Sequence, residues 1–192
     1  MERNFPEALA HTLQFEGGWT NNPNDPGGAT MKGITQRTYS SYLGRETSQE
    51  ELRNITDAEV AAIYRKLYWD ECLGNDLAAG LDYAVFDAAV NTGPREASRL
   101  LQRVVGVPVD GVLGPKTLAA VSDYIAAEGL PKLIDAYTEA RQAYYRLLPT
   151  MCILVKGGVS GRIVWPKPRK NSVGRIEPSK KTPPEGGALW LA

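Results

Sequence analysis

Histidine and cysteine are nearly absent from this sequence, with one His and two Cys among 192 residues. The two cysteines, Cys72 and Cys152, are too few for a disulfide framework, and we interpret them as reduced thiols of a protein made in the cytosol. No group of His, Cys, Asp and Glu has the spacing of metal ligands, and we expect His11 at the surface. The sequence therefore predicts no metal site.

Long apolar runs and an excess of charge of one sign are also missing. No apolar stretch is long enough to span a bilayer, and the start, Met1–Asn4, lacks the apolar segment of a signal peptide. The formal net charge is zero, although residues 151–192 hold eight Lys or Arg and two Asp or Glu, which leaves residues 1–150 acidic. A body without a basic stripe argues against nucleic-acid binding.

The segment Phe15–Trp19 (Phe-Glu-Gly-Gly-Trp) organises the N-terminal part of the chain. The spacing of Leu9, Leu13 and Glu16 predicts that a helix carries all three on one face, which turns the carboxyl of Glu16 toward the core. Poor solvation there would raise the pKa of Glu16, as a general acid requires. The alternative is a solvated glutamate beside a helix C-terminus.

The next stretch, 20–34, is dense in Gly, Pro, Asn and Asp, and it contains a second carboxylate, Asp25. Strings of this kind are often simple turns. A loop here can also fold back over the end of the first helix, which would bring Asp25 toward Glu16. Both interpretations remain open on composition alone.

Helical patterns dominate the rest of the chain, so the fold class is predicted as mainly α. Thr56–Glu59 is a capping box, and Pro115 is placed to open a helix at its first position. The predicted helices cover residues 4–16, 35–43, 57–70, 77–91, 94–105, from 115 onward, and 130–147.

Asp87 and Asn91 interrupt the apolar helix predicted over 77–91, and their spacing places them on one face. Buried polar groups need partners, so this face either meets solvent in a cleft or bonds to the Gly-rich loop. The alternative is capping of the helix end.

These motifs resemble those of glycoside hydrolase family 108. The likeness is carried by Glu16–Trp19, Asp25–Thr30, Lys32–Ile34 and Phe86–Gly93, and it runs from about Phe5 to Thr150. Members of this family are bacterial and phage lysozymes that cleave peptidoglycan, and they include proteins labelled secretion activators. The resemblance implies a lysozyme-like α+β fold, mainly α, with a small Gly-rich β-hairpin lobe and a helical C-terminal lobe.

The resemblance also implies roles for particular residues. Glu16 is expected to be the catalytic acid, and Asp25 and Thr30 resemble the second and third members of the Glu-Asp-Thr set of phage-type muramidases. The expected substrate-binding residues are Trp19, Trp69, Asp87 and Asn91. Packing in the core is the equal alternative for Trp69.

The segment Val107–Thr117 is similar to peptidoglycan-binding helical modules. We therefore predict a catalytic region over residues 1–75, a helical lobe over 76–150, and an irregular basic tail over 151–192. Because one choice of codons after Thr150, read two nucleotides later, restores a family-like aromatic-Gly-Lys-Gly-Trp segment, we hypothesise a frameshift near that point.

The expected activity is hydrolysis of the β-1,4 bond between N-acetylmuramic acid and N-acetylglucosamine, without a cofactor. The expected partner is the peptidoglycan glycan strand, bound by a monomer. Two alternatives stay open: a lytic transglycosylase, and a non-catalytic peptidoglycan-binding or secretion-helper protein. Such an enzyme, made in the cytoplasm, would reach the periplasm or cell wall through a holin, a secretion system or lysis.

Overall fold

Helices joined by short loops make up most of the structure, with one small sheet near the N-terminus. The computed structural model describes residues 4–14, 16–21 and 28–147. Its α-helices are α1 (Phe5–Leu13), α2 (Gln36–Leu43), α3 (Gln49–Arg53), α4 (Asp57–Tyr64), α5 (Leu81–Thr92), α6 (Pro94–Val105), α7 (Pro115–Glu128) and α8 (Leu130–Leu147). A π-helical turn, Arg65–Trp69, continues α4, and a 3₁₀ turn covers Gly74–Asp76.

The sheet is an antiparallel hairpin of β1 (Thr30–Met31) and β2 (Ile34–Thr35). Its position in the Gly-rich stretch confirms the expected hairpin lobe, and the predominance of helix confirms the predicted fold class. The expectations for residues 151–192, including the frameshift, lie outside the described residues.

Several helix boundaries follow from capping groups that the sequence displays. The Thr35 hydroxyl accepts a hydrogen bond from the Thr38 amide, and Gly44 ends α2 with a φ of 67°. The predicted capping box of Thr56 and Glu59 is present at the start of α4. A second box, formed by Ser48 and Glu51, starts the short helix α3, which the periodicity did not predict.

Two predicted boundaries are wrong. The first helix was expected to reach Glu16, but α1 ends at Leu13 and the Glu16 amide bonds to the Leu13 carbonyl, three residues back. The central helix was expected from Leu77, but α5 begins at Leu81 because Gly80, with a φ of 93°, cannot continue a right-handed helix.

Asn4 stands at the N-cap position of α1 but makes no capping bond. Its amide instead donates to the buried carboxylate of Asp82 over 2.7 Å, which ties the start of α1 to α5. Asp82 also accepts hydrogen bonds from the Gly80 and Tyr83 amides, each at 2.7 Å. This carboxylate therefore caps α5 and anchors α1 at the same time.

Two hydrophobic clusters form the core, and α5 contributes to both. Phe86 packs with α1, α4 and the hairpin, whereas Val85, Ala88 and Ala89 pack with α6, α7 and α8. All four side chains are fully buried. Since the described residues belong to one compact unit, α5 is the element that joins its two halves.

Neither a membrane-crossing helix nor a reactive thiol is found in the part of the chain that the structure describes. No helix there has both the length and the apolar character that a bilayer crossing requires. Cys72 is a buried free thiol, and burial raises its pKa to about 12. Cys152 lies outside the described residues.

Candidate active site

Glu16 lies just after α1 and packs its carboxyl group against the turn of the hairpin. A Cβ atom placed on Gly33 would lie 2.7 Å from Glu16 Oε2 and 2.4 Å from the Tyr64 hydroxyl oxygen. The carboxyl group is thus half-buried against main chain, in space that any side chain on Gly33 would fill. The helix-face argument for Glu16 is wrong, since α1 has ended, but the partial burial that it predicted is present.

The hairpin turn beneath Glu16 has a backbone shape that depends on glycine. Lys32 and Gly33 connect the paired residues Met31 and Ile34, with φ values of 48° and 75°. Two positive φ angles in a two-residue connection define a type I′ turn, which favours glycine at its second position. The Tyr64 hydroxyl donates to the Lys32 carbonyl over 3.0 Å and fixes the turn to the end of α4.

The surroundings of Glu16 favour its neutral form. Burial raises the pKa of Glu16, and the negative charge of Asp87 raises it further. The tyrosines Tyr64 and Tyr68 also lie near Glu16, and burial together with the charge of Glu16 raises the pKa of both phenols. Glu16 therefore holds its proton to a higher pH than a free glutamate, as a general acid near neutral pH must.

Asp87 reaches this site from α5 and is paired with a cation from α8. Arg141 Nη2 lies 2.6 Å from Asp87 Oδ2, and the two side chains are only 20% and 22% exposed. The Arg141 Nε–H donates to the Tyr145 hydroxyl over 3.0 Å, and the guanidinium lies 5.5 Å from the centroid of that ring. Arg141 is thus held from two sides, and it holds Asp87 in turn.

Sequence reasoning did not assign Arg141 to the site. The available signal was its position in an otherwise apolar stripe of α8, with Leu133, Tyr137 and Tyr144, because a cation buried in such a stripe needs a carboxylate partner. The predicted companion Asn91 is exposed, and its amide donates to the Asp87 carbonyl over 2.7 Å. Asn91 therefore supports the helix end, as the capping alternative proposed.

Of the remaining N-terminal candidates, Asp25 lies in a segment outside the described residues and Thr30 lies just after it. Asp25 falls within 22–27, so its predicted proximity to Glu16 remains a prediction. The ends of this loop are joined by Thr20 and Thr30, whose amides donate to each other's carbonyls over 2.9 and 2.8 Å. Thr30 also pairs with Thr35 in the hairpin and is half-buried. The hairpin thus fixes both ends of the segment that carries Asp25.

Trp19 and Trp69, the two predicted substrate-binding tryptophans, lie in different surroundings. Trp19 is half-buried, and the Arg53 guanidinium lies 5.3 Å from its ring centroid. Trp69 is fully buried and donates from Nε1 to the Asn75 side chain over 2.9 Å. Full burial agrees with the packing alternative for Trp69, and its role in substrate binding stays a prediction.

An aromatic cluster accounts for the burial of Trp69. Its ring meets Phe5 at 5.3 Å and Phe86 at 5.5 Å, both edge to face, and Phe5 meets Phe86 at 5.9 Å. A Cβ atom on Gly74 would lie 2.4 Å from the indole, so the 3₁₀ turn closes over it. This cluster joins α1, the π-helical turn and α5, the elements that surround Glu16.

The motif around Asp110 has a structural explanation. Gln102, buried in α6, donates to the Asp110 carboxylate over 2.7 Å and to the Val112 carbonyl over 3.0 Å, and it accepts from the Gly111 amide over 2.8 Å. A Cβ atom on Gly111, whose φ is 81°, would lie 2.6 Å from the Arg95 side chain. The side-chain amide therefore holds the 110–112 turn against α6, which explains why these residue types occur together.

No metal site accompanies these carboxylates: the described residues contain no group of three or more His, Cys, Asp or Glu placed to hold an ion. The chemistry that these residues can support is proton transfer by Glu16, whose pKa is raised by burial and further by the charge of Asp87.

Comparison with known proteins places both halves of this arrangement in described families. Residues 9–93 match the family model "Glycosyl hydrolase 108", and residues 96–157 match "Predicted Peptidoglycan domain". Glu16 and Asp87 fall in the first match and Arg141 in the second. No curated protein matches the chain.

Among solved structures, the chain is similar to SagA of Brucella abortus. The two share 41% sequence identity, with a TM-score of 0.68, over 80% of this chain and 86% of that chain. The chain therefore belongs to the glycosyl hydrolase 108 family.

Proposed function

We propose that this protein is a peptidoglycan hydrolase that cleaves the β-1,4 bond between N-acetylmuramic acid and N-acetylglucosamine, with Glu16 as the general acid. One observation carries the proposal: the half-buried Glu16 carboxyl, whose pKa is raised, packs on the hairpin turn at Gly33, where no side chain fills the space. The two family matches support a protein that acts on peptidoglycan. Retention of a proton at neutral pH is the property that a leaving sugar oxygen requires.

Access to Glu16 comes from the side of the glycine pair that follows it. Gly17 and Gly18 are exposed, and a Cβ atom on either would meet nothing within 4 Å. Main chain without side chains lets a sugar approach closely. We therefore place the scissile bond beside Gly17 and Gly18, with the Glu16 carboxyl directed at the glycosidic oxygen.

In the proposed reaction, Glu16 gives its proton to the glycosidic oxygen as the bond to the anomeric carbon breaks. The bonding electrons leave with that oxygen, and positive charge develops on the sugar left behind. Asp25 is proposed to activate the attacking water or to stabilise this charge, with Thr30 orienting the water. If Asp25 acts as the base of an inverting enzyme, its carboxyl lies roughly 6.5–9.5 Å from that of Glu16.

Lytic transglycosylase chemistry is the second candidate, and the Asp87–Arg141 pair favours it. Among the described residues, Asp87 is the carboxylate whose charge raises the pKa of Glu16. Because Asp87 is already paired with Arg141 at 2.6 Å, it is poorly suited to serve as the second catalytic carboxylate. A single acid/base residue suffices when a hydroxyl of the substrate itself attacks and leaves an anhydro sugar. Asp25 would then be dispensable, whereas the hydrolase requires it.

The deciding experiment digests purified peptidoglycan with wild type, Glu16→Gln and Asp25→Ala, and identifies the released fragments by mass spectrometry. The hydrolase is supported if wild type releases fragments with reducing muramic ends and neither variant does. Anhydro ends that survive Asp25→Ala support the transglycosylase. Glu46→Gln, an exposed glutamate in a loop, is the matched control and should retain full activity.

A non-catalytic role as a peptidoglycan-binding or secretion-helper protein is the remaining alternative. It would be established if a folded wild type released no fragments yet bound the polymer as tightly as Glu16→Gln does. We propose action at the periplasm or cell wall, after delivery from the cytoplasm by a holin, a secretion system or lysis. Expression with and without a fused export signal tests this, because lysis should require export.

A further inference from the structure

A cavity separate from the Glu16 surroundings lies between α2 and the π-helical turn. Its volume is about 320 Å³, and it is lined by Arg37, Thr38, Ser41, Tyr42, Lys66 and Leu67. Ligand-binding pockets have volumes of about 300–1,000 Å³, so this cavity suits a small group rather than a chain of sugars. The lining combines two cations and two hydroxyls with an aromatic and an aliphatic side chain.

The two cations of this cavity are exposed, and no ion pair compensates their charges within the described part of the chain. Among the residues that the structure describes, neither Arg37 nor Lys66 forms an ion pair, whereas many other cations do. Lys66 Nζ lies 5.6 Å from the centroid of the Tyr42 ring, which steadies its position without neutralising it. Two uncompensated positive charges at one concave site favour an anionic ligand.

The chemistry of the lining narrows the anion to a carboxylate attached to a short, partly apolar group. The planar guanidinium of Arg37 can bind both oxygens of a carboxylate, and Lys66 adds a second charge. Tyr42 and Leu67 provide apolar surface, and the Ser41 hydroxyl can donate or accept. The end of a short peptide has this combination of groups.

We propose that this cavity binds a carboxylate of the peptide stem that peptidoglycan carries on its muramic acid. The proposal rests on the proposed function, since the stem is part of that polymer. Lys66 stands two residues from both Tyr64 and Tyr68, so its Cα lies no more than about 7.6 Å from theirs. Residues two apart in a helical segment lie on different sides of it, so the segment that carries Tyr64 and Tyr68 beside Glu16 presents Lys66 to the cavity on another face.

The test compares Arg37→Gln/Lys66→Gln with a control that removes one Lys and one Arg elsewhere. Lys116→Gln/Arg146→Gln serves this purpose, because both residues are exposed on α7 and α8. Each protein is assayed on intact peptidoglycan and on glycan strands from which an amidase has removed the peptides. We expect the cavity variant to raise KM about tenfold on intact peptidoglycan, with kcat unchanged, since a charge-assisted contact is lost.

On peptide-free strands the cavity variant and wild type should have the same KM. An equal loss on both substrates would show that the cavity does not need the peptide, and it would overturn the proposal. A loss confined to the peptide-free strands would also overturn it, because removal of the peptide uncovers the lactyl carboxylate of muramic acid and the cavity would then belong to that group. An equal effect of the control variant would also overturn the proposal, because net charge alone would then explain the result. Thermal unfolding of both variants establishes that they are folded.

A binding measurement separates this proposal from the proposed function. Glu16→Gln is titrated with a soluble disaccharide-tetrapeptide and with the same disaccharide lacking the peptide. Tighter binding of the peptide form, lost on adding Arg37→Gln/Lys66→Gln, supports the cavity assignment even if wild type cleaves nothing. Equal binding of the two probes refutes the cavity assignment even if Glu16 proves catalytic.

Discussion

Arg141 of α8 lies 2.6 Å from Asp87 of α5, and Asp87 in turn raises the pKa of Glu16. The cation belongs to the segment that matches the peptidoglycan domain, and the two carboxyl groups belong to the segment that matches the hydrolase. The cation that pairs with Asp87 therefore comes from the second segment, and through Asp87 we expect it to affect the protonation of the proposed acid. This dependence can be measured from both ends of the pair.

Asp87→Asn is expected to move the alkaline limb of the pH profile of kcat/KM to lower pH. The negative charge of Asp87 disfavours ionisation of Glu16, so its removal lowers the pKa of Glu16 and the acid loses its proton earlier. Activity near pH 5 should change little if Glu16 is already protonated there. An unchanged alkaline limb in a folded variant would show that Asp87 does not act on the catalytic group.

Arg141→Gln is expected to move the same limb in the opposite direction. Loss of the cation leaves the charge of Asp87 uncompensated, which disfavours ionisation of Glu16 more strongly. The free energy of unfolding should fall by about 2 kcal/mol, less than for a fully buried pair because both side chains keep some exposure. Arg141→Lys should restore part of both effects.

The control for Arg141 is Arg103→Gln, whose partner is Glu96 on the same helix. The Arg103 side chain is 49% exposed, and its loss should cost under about 1 kcal/mol. The pH profile of this variant should match that of wild type. A profile shift of equal size in both variants would contradict a specific role for Arg141.

Gly33→Ala is expected to abolish most activity, whereas Gly44→Ala is not. Both glycines have positive φ, 75° and 67°, so each substitution costs about 1–2 kcal/mol of backbone strain. Only at Gly33 would the methyl group meet Glu16 Oε2 at 2.7 Å, and displacement of a catalytic group costs about 10- to 100-fold in rate. Circular dichroism and kcat/KM of the two variants test this difference, and similar rates would refute it.

Glu16→Gln is expected to be more stable than wild type at neutral pH but not in acid. Because the pKa of Glu16 is higher in the folded chain than in the unfolded one, where it is about 4.3, wild type loses stability as the pH rises through the interval between the two values. The neutral amide does not titrate. The difference in Tm should therefore be near zero below this interval and positive above it.

Glu46→Gln provides the baseline for this measurement, since Glu46 is exposed in the loop before α3. Its Tm should follow that of wild type at every pH. If the difference in Tm between Glu16→Gln and wild type were equally independent of pH, the carboxyl of Glu16 would not be poorly solvated. The main support for the proposed acid would then be lost.

Trp69→Phe is expected to lower stability without changing KM. The substitution removes part of a fully buried ring and the hydrogen bond to Asn75, at a cost of about 2–4 kcal/mol. Because the indole is fully buried, substrate has no contact with it to lose. A KM that rises severalfold at a temperature where the variant is fully folded would restore Trp69 to the binding site.

Most helices could be predicted from the sequence because the residues that start and end a helix lie within one turn of its ends. The capping box at Thr56, the prolines that open α6 and α7, and Gly44 at the end of α2 each act within one turn of the chain. The short helix α3 lacked an apolar period long enough to detect, although its own capping box was visible in Ser48–Glu51.

The site was less predictable because its contacts join residues distant in sequence. The raised pKa of Glu16 was predicted from a helical face that does not extend to it, and the actual causes are the Gly33 turn and Asp87 from α5. The pairing of Asp87 with Arg141 joins α5 to α8, with two helices between them in the chain, and it has no local signature. Trp69 could not be assigned to core or cleft until Phe5, Phe86 and Gly74 were seen around it.

Because α5 contributes to both hydrophobic clusters, gene rearrangement between the two family segments should disrupt the core. The hydrolase match ends at residue 93, yet Val85, Ala88 and Ala89 pack in a cluster to which α6, α7 and α8, encoded further on, contribute. A recombination event that cut between the two matches would deliver a product with an uncovered apolar side and no Arg141. We therefore expect the two segments to be inherited together, as a single exchangeable unit that ends no earlier than α8.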